Sequence, residues 1–243
     1  MPFSDQLLSA LGAWQAGWRE EKALREQISV DLHKAIEAAK PLPEEAFNIP
    51  GTCYRKRFLV PNNPQNGGDF WPFFWDGEIQ EGAASWSTDY EFCKTIFKKD
   101  PRPGTIVCIF RRVPTQSEVI LNIAELWTNS DFKEAIQSYA DRREPNFEAL
   151  QHFRDVQSEV ILDAPLTMDD VVAFCGQVPS LEQLCNAAQI EQPEDEDELW
   201  RRLVQKNLLP TLPYWLEGQA SQRAIDNAIK VIEERFRIWL KPK

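Results

Sequence analysis

Gln157-Ser158-Glu159-Val160-Ile161-Leu162 joins a polar triplet to an aliphatic one. A short apolar run bounded by polar residues predicts a buried strand, here over residues 156–162. Gln157 and Glu159 are two apart, so both side chains lie on one face of that strand. Residues 146–155 ahead of it read as a loop carrying Phe153, and Ser130 to Ala140 before that loop as a helix. The same six residues also stand at 116–121, inside a second predicted strand, Glu118 to Ile123.

Working towards the N-terminus, Thr105 to Phe110 is a β-branched run that predicts another buried strand. Pro101 to Gly104 is a turn, and Asp89 to Lys98 is a helix with Phe92, Cys93, Ile96 and Phe97 on its apolar side. Ala83 to Ser87 and Cys53 to Val60 read as strands, with a loop at 61–68 and a dense aromatic group at Phe70, Trp71, Phe73, Phe74 and Trp75. Asp5 to Ala39 reads as one helix, capped by Ser4 and striped by Leu7, Leu11, Trp14, Trp18, Leu24, Ile28, Leu32 and Ala35. Pro41, Pro43 and Pro50 end it.

Beyond Leu162 the pattern reads as helical. Thr167-Met168-Asp169-Asp170 and Ser180-Leu181-Glu182-Gln183 are capping-box patterns, and Gly176 is a helix stop. Glu191 to Glu198 is an acidic connector, Leu199 to Leu209 a helix, and Ile225, Ile229, Ile232, Phe236 and Trp239 a packing seam. Short strands between helical ends predict an α+β protein. The chain divides into an N-terminal helical segment (1–49), a central core (50–166) and a C-terminal helical region (167–243).

Composition removes several function classes. In 243 residues, Lys plus Arg is 27 and Asp plus Glu is 38, a formal net charge of -11. Such a surface does not attract phosphate backbones over long range. The 5 cysteines are scattered, which argues against a disulfide scaffold or a paired-cysteine zinc site and for reduced thiols in a cytoplasm. With 2 histidines no multi-histidine metal site can form, and no metal site is expected. The first residues lack the features of a secretory signal, and no apolar run reaches membrane-spanning length, so no membrane partner is expected. The Gly-rich dinucleotide fingerprint, the P-loop and the nucleophile elbow are all missing.

Three short stretches remain that could carry chemistry: Tyr54-Arg55, Ser85-Trp86-Ser87-Thr88, and Gln157-Ser158-Glu159. Singly, each has a plain reading. Arg55 reads as a surface strand arginine, Ser87 and Thr88 as caps of the following helix, and Gln157 and Glu159 as the solvent face of an edge strand. In this order they resemble the Arg-Ser-Glu branch of the ADP-ribosyltransferase family, the toxin-like mono-ADP-ribosyltransferases. That branch places an aromatic-Arg pair on its first core strand, an aromatic followed by Ser/Thr on its second, and Gln-x-Glu or Glu-x-Glu on a later one. The resemblance covers roughly residues 50–165.

The resemblance implies an α+β core of two packed small β-sheets with an NAD cleft, flanked by N-terminal and C-terminal helices. It implies NAD as co-substrate, held by Arg55 with Tyr54 beside it and braced by Ser87 with Ser85 or Thr88. Glu159 would be catalytic, and Gln157 would orient the acceptor, a macromolecule modified at a non-arginine group. An intracellular toxin or phage-defence effector, with a possible antitoxin or regulatory partner, is the implied setting. The alternative is a catalytically inactive protein of the same fold that binds a partner through its helical flanks.

The chemistry suits these residue types. An arginine on a rigid strand offers a charged fork for phosphate and ribose oxygens. Small hydroxyls brace a ligand without filling the cleft. A carboxylate beside the ribose stabilises the oxocarbenium charge that develops as the glycosidic bond breaks. Between the two glutamates of the repeated hexapeptide, Glu159 is the expected catalyst. Glu118 follows so closely on the 105–110 strand that the two strands are expected to be neighbours. That leaves little chain for the acceptor loop that residues 146–155 can supply to Glu159.

Overall fold

A computed structural model of the chain describes residues 3–17, 21–49, 51–59, 73, 76–96, 106–152, 158–175, 198, 201, 215–224, 226 and 230. The helices are α1 (Asp5–Ala16), α2 (Lys22–Ala39), α3 (Tyr90–Thr95), α4 (Ile123–Leu126), α5 (Ser130–Asp141) and α6 (Phe147–His152). The strands are β1 (Cys53–Leu59), β2 (Glu78–Ile79), β3 (Ala83–Ser87), β4 (Ile106–Arg112), β5 (Val119–Asn122), β6 (Glu159–Asp163), β7 (Leu166–Thr167), β8 (Val171–Cys175) and β9 (Leu216–Glu217). No helix among the described residues is long and apolar enough to cross a membrane.

The predicted N-terminal helix is two helices. Ser4 caps α1 as expected, its Oγ accepting from the Leu7 amide at 3.3 Å. The chain leaves the helix at Gly17, whose amide bonds back to the Trp14 carbonyl. A Cβ on Gly17 would lie 2.9 Å from Ile28 Cδ1, so α2 lays the end of the Ile28 side chain against this turn as it folds back on α1.

Seven described strands form one sheet in the order β5-β6-β3-β1-β4-β8-β9, and β2 pairs with β7 in a separate ribbon. All pairings are antiparallel. Two separate small sheets were expected, and the continuous sheet differs from that. It comes close to a break all the same, because β1 and β3 are paired only at Tyr54 with Ser87. On one side of this joint β1 runs along β4 for its whole length. On the other, β3 runs along β6 from Ala83 with Asp163 to Ser87 with Glu159. β5, expected beside β4, instead occupies the far edge and pairs with β6, so the aliphatic ends of the two copies of the hexapeptide lie side by side. The sheet bends round on itself, for Arg112 at the end of β4 still reaches Glu118 just before β5.

One apolar core lies between the two halves. Val160, Leu162, Trp86 and Ala84 from one half meet Cys53, Leu59, Cys108, Phe110 and Val171 from the other, with Phe73 among them. On the opposite face of β6, Ile161 joins Leu7, Leu8, Leu11, Leu32, Phe132, Ile136 and Tyr139 of the helices. β6 is therefore an interior strand buried on both faces, which corrects the edge-strand reading of Glu159.

The helix expected after Thr167 does not form. Met168–Asp170 makes a single 3₁₀ turn, and Val171–Cys175 continues as a strand with alternating burial. The Asp170 carboxylate accepts from Thr167 Oγ1 at 2.8 Å and from Arg112 Nη1 at 2.9 Å. With that carboxylate tied to β4, the β-branched Val171 and Val172 follow their sheet preference. β9 likewise falls in a stretch expected to be helical, although residues 219–224 are helical. The acidic connector, the 199–209 helix and the seam from Ile225 lie largely outside the described residues.

α1 is seated tightly. A Cβ on Gly12 would lie 2.8 Å from the Asn146 carbonyl oxygen and 2.9 Å from Asn146 Cβ. In an isolated helix Gly→Ala is stabilising by about 1 kcal/mol. Here the overpacking should win, and Gly12→Ala should lose roughly 1–3 kcal/mol in a urea titration. A more stable variant would mean that α1 does not dock on α6 in solution.

Candidate active site

The three motif strands are neighbours in the order β6-β3-β1. Past the single Tyr54–Ser87 bridge, β3 and β1 part, and the Arg55 side chain enters the opening. Arg55 Nη1 donates to the Ser85 carbonyl oxygen. Ser85 Oγ in turn donates to Glu159 Oε1 at 2.5 Å. An arginine, a serine and a glutamate from three strands are thus linked in one chain of hydrogen bonds.

Glu159 is only 4% exposed. Burial raises its carboxyl above the ordinary glutamate range, and hydrogen bonds from Ser85 and Gln15, with the Arg55 charge, pull it partly back. Gln15, on α1, donates from Nε2 to Glu159 Oε2 at 3.4 Å. The residue before Glu159 is held in a left-handed conformation, with Ser158 at φ 44°. Its carbonyl accepts from the Thr88 amide at 3.1 Å, which ties the start of β6 to the end of β3. A left-handed non-glycine residue is uncommon, and here it sits next to the candidate carboxylate.

Arg55 is itself held by a partner the sequence reading missed. Glu81 accepts from Arg55 Nε at Oε2 and from Arg57 Nε at Oε1, both at 2.5 Å. The Glu81 side chain is 9% exposed. Burial acts to raise its carboxyl, but the two guanidiniums outweigh that effect and hold it below the ordinary range. The reading of Arg55 as a surface strand arginine does not survive this pairing. Among the described residues Arg55 Nη2 carries no hydrogen bond, so one edge of the fork remains for a ligand oxygen.

The other candidates separate. Ser87 lies opposite Glu159 in register, but its Oγ accepts from the Asp89 amide at 3.0 Å at the start of α3. The helix-start reading therefore describes this bond, and Ser85 is the hydroxyl that meets the carboxylate. Asp89, not Thr88, is the N-cap, accepting from the Phe92 amide at 3.0 Å. Thr88 is exposed. The Tyr54 ring packs against Tyr90 with centroids 5.1 Å apart, on the α3 side of the sheet. Of the aromatic group only Phe73 is described, and it is core, edge-on to Phe110 at 5.6 Å. Gln157 and Phe153 lie outside the described residues.

Glu118 has a different environment from Glu159. Its carboxylate accepts from Arg112 Nε at 3.1 Å and from the Thr115 amide at 2.8 Å. The Arg112 hydrogen bond, foremost, holds it below the ordinary range. Glu118 joins the β4–β5 connection to the 3₁₀ turn through Arg112 and Asp170, a bracing role. Among the described residues no cluster of metal-ligating side chains occurs.

Compared with known protein families, curated proteins and solved structures, the chain matches none.

Proposed function

We propose that this chain is an NAD-dependent mono-ADP-ribosyltransferase. The observation that carries the reading is the Ser85–Glu159 hydrogen bond with Arg55 on the Ser85 carbonyl. The three residue types of the resemblance converge although they lie far apart in sequence. Arg55 takes the pyrophosphate or ribose oxygens of NAD with the edge of its fork that faces neither Glu81 nor Ser85. Ionised Glu159 lies beside the nicotinamide ribose. The C1′–nitrogen bond breaks, its electron pair goes to the nicotinamide nitrogen, and nicotinamide leaves uncharged. The oxocarbenium ion at C1′ is stabilised by Glu159 until a nucleophile donates its electron pair there and gives up its proton. Water as nucleophile yields NAD hydrolysis. A macromolecular group yields transfer, and Gln157 in place of glutamate favours a non-arginine acceptor. A cytoplasmic toxin or phage-defence effector, held in check by an antitoxin or regulatory protein, is the setting that accords with the resemblance.

The burial of Glu159 favours one second reading, an inactive protein of this fold that binds a partner through its helices. One experiment separates the two. Purified protein is incubated with NAD labelled in the adenine, with and without cell extract. The transferase reading expects nicotinamide release and label on a macromolecule, located by mass spectrometry. Absence of both release and NAD binding would leave the partner-binding reading.

A further inference from the structure

Gln15 is the polar residue on the otherwise apolar buried face of α1. It is 4% exposed and follows Leu7, Leu8, Leu11 and Gly12 on the face α1 turns to the core. Its Nε2 donates to Glu159, while its Oε1 is buried without a hydrogen-bond partner. A methionine or leucine would fill this space with no orphaned acceptor, which carries a real desolvation cost. The side chain is also held where it is. Trp14 Nε1 donates to the Ala83 carbonyl at 3.0 Å, pinning α1 to β3. On the other side, the close approach of Gly12 to Asn146 fixes α1 against α6. Ser85 then holds one oxygen of Glu159 and Gln15 the other. Two donors from two elements fix the plane of the carboxylate, and both favour its charged form.

We propose that Gln15 is a positioning residue of this site, and that α1 completes the site by orienting the Glu159 carboxylate and favouring its ionised form. The proposal rests on the transferase reading for its effect on rate but not for its effect on Glu159 itself. The groups acting on Glu159 are Gln15 from α1, Ser85 from β3 and the Arg55 charge from β1. Removing the Gln15 donor leaves burial less opposed. Glu159 then titrates at higher pH, and the acid limb of the rate profile moves up with it.

The test is Gln15→Met, which keeps the bulk and removes the amide. Nicotinamide release should fall roughly tenfold or more, the scale of a hydrogen bond to a charged group. Its acid limb should move to higher pH, with no loss of thermal stability at pH below the Glu159 titration, where the carboxyl is neutral in both proteins. Glu159 is titrated in parallel by carbon NMR of glutamate-labelled protein, in the parent and in the variant. An upward move in Gln15→Met supports the proposal. An unchanged Glu159 titration overturns it, whether or not either protein releases nicotinamide. If the parent releases none, the transferase reading fails, and the titration alone decides the role of Gln15.

Discussion

Glu159→Gln should reduce nicotinamide release by roughly a hundredfold or more while leaving the protein as stable as the parent, or more so. The rate effect follows from the charge. Glutamine keeps the shape and can still meet Ser85 Oγ, but it cannot stabilise an oxocarbenium ion, a loss of about 3 kcal/mol or more of transition-state stabilisation. The stability effect follows from burial. The folded-state titration of Glu159 lies above its unfolded value. The folded protein therefore binds the extra proton more tightly, and stability falls as pH rises from the unfolded value through the folded one. Above the folded-state value the ionised carboxylate is a net cost, which the amide relieves. Glu118→Gln should do the reverse. It keeps most of the activity and loses stability, because Arg112 and the Thr115 amide both lean on that carboxylate. Release rates and urea midpoints of the two variants, measured side by side, test all four expectations. Loss of activity in the Glu118 variant alone would show that the catalytic copy of the hexapeptide had been misassigned. The acid limb of the parent's rate profile should also lie above the ordinary glutamate range, since Glu159 must be ionised to act.

Legibility of the fold follows the reach of the signals. α5 has its own cap and apolar face, and it forms almost where the pattern places it, at Ser130–Asp141. β1, β3, β4 and β6 have local patterns and appear close to their expected positions. β8 was misread because Thr167 to Asp170 carries a local capping signature, whereas Asp170 answers to Arg112 from a distant strand. The helix break at Gly17 depends on where α2 returns, which no window of sequence contains. In the site, Ser85 and Glu159 were reached through the resemblance, and strand alternation placed only Gln157 and Glu159 on one face. Gln15 was visible in principle, as a polar residue on an apolar stripe at helical spacing. Glu81 had no local signal. Only the two arginines on one face of β1 hinted that a counter-charge must reach them.

That counter-charge should be the most expensive side chain to lose. Glu81→Leu leaves Arg55 and Arg57 side by side, half-buried and without their shared carboxylate. Breaking a buried ion pair by removing one partner costs about 3–5 kcal/mol, and both arginines keep some contact with water, so the lower end, about 3 kcal/mol, is expected. Glu81→Gln should cost somewhat less, because the amide oxygen still accepts one hydrogen bond. The pH dependence has a definite sign. The folded-state value of Glu81 lies below its unfolded value. Its contribution is complete above the ordinary glutamate range and is lost as pH falls through the depressed folded value. The gap in stability between parent and Glu81→Leu should therefore narrow as the pH is lowered through the ordinary glutamate range and below it. NAD affinity supplies a second readout. Without Glu81 the Arg55 guanidinium loses the contact that aims it into the opening between β1 and β3. NAD should then bind more weakly to Glu81→Gln even at temperatures where the variant is fully folded. A Glu81→Gln protein that folds, binds NAD as tightly as the parent and differs only in its urea midpoint would confine Glu81 to the fold and remove it from the site.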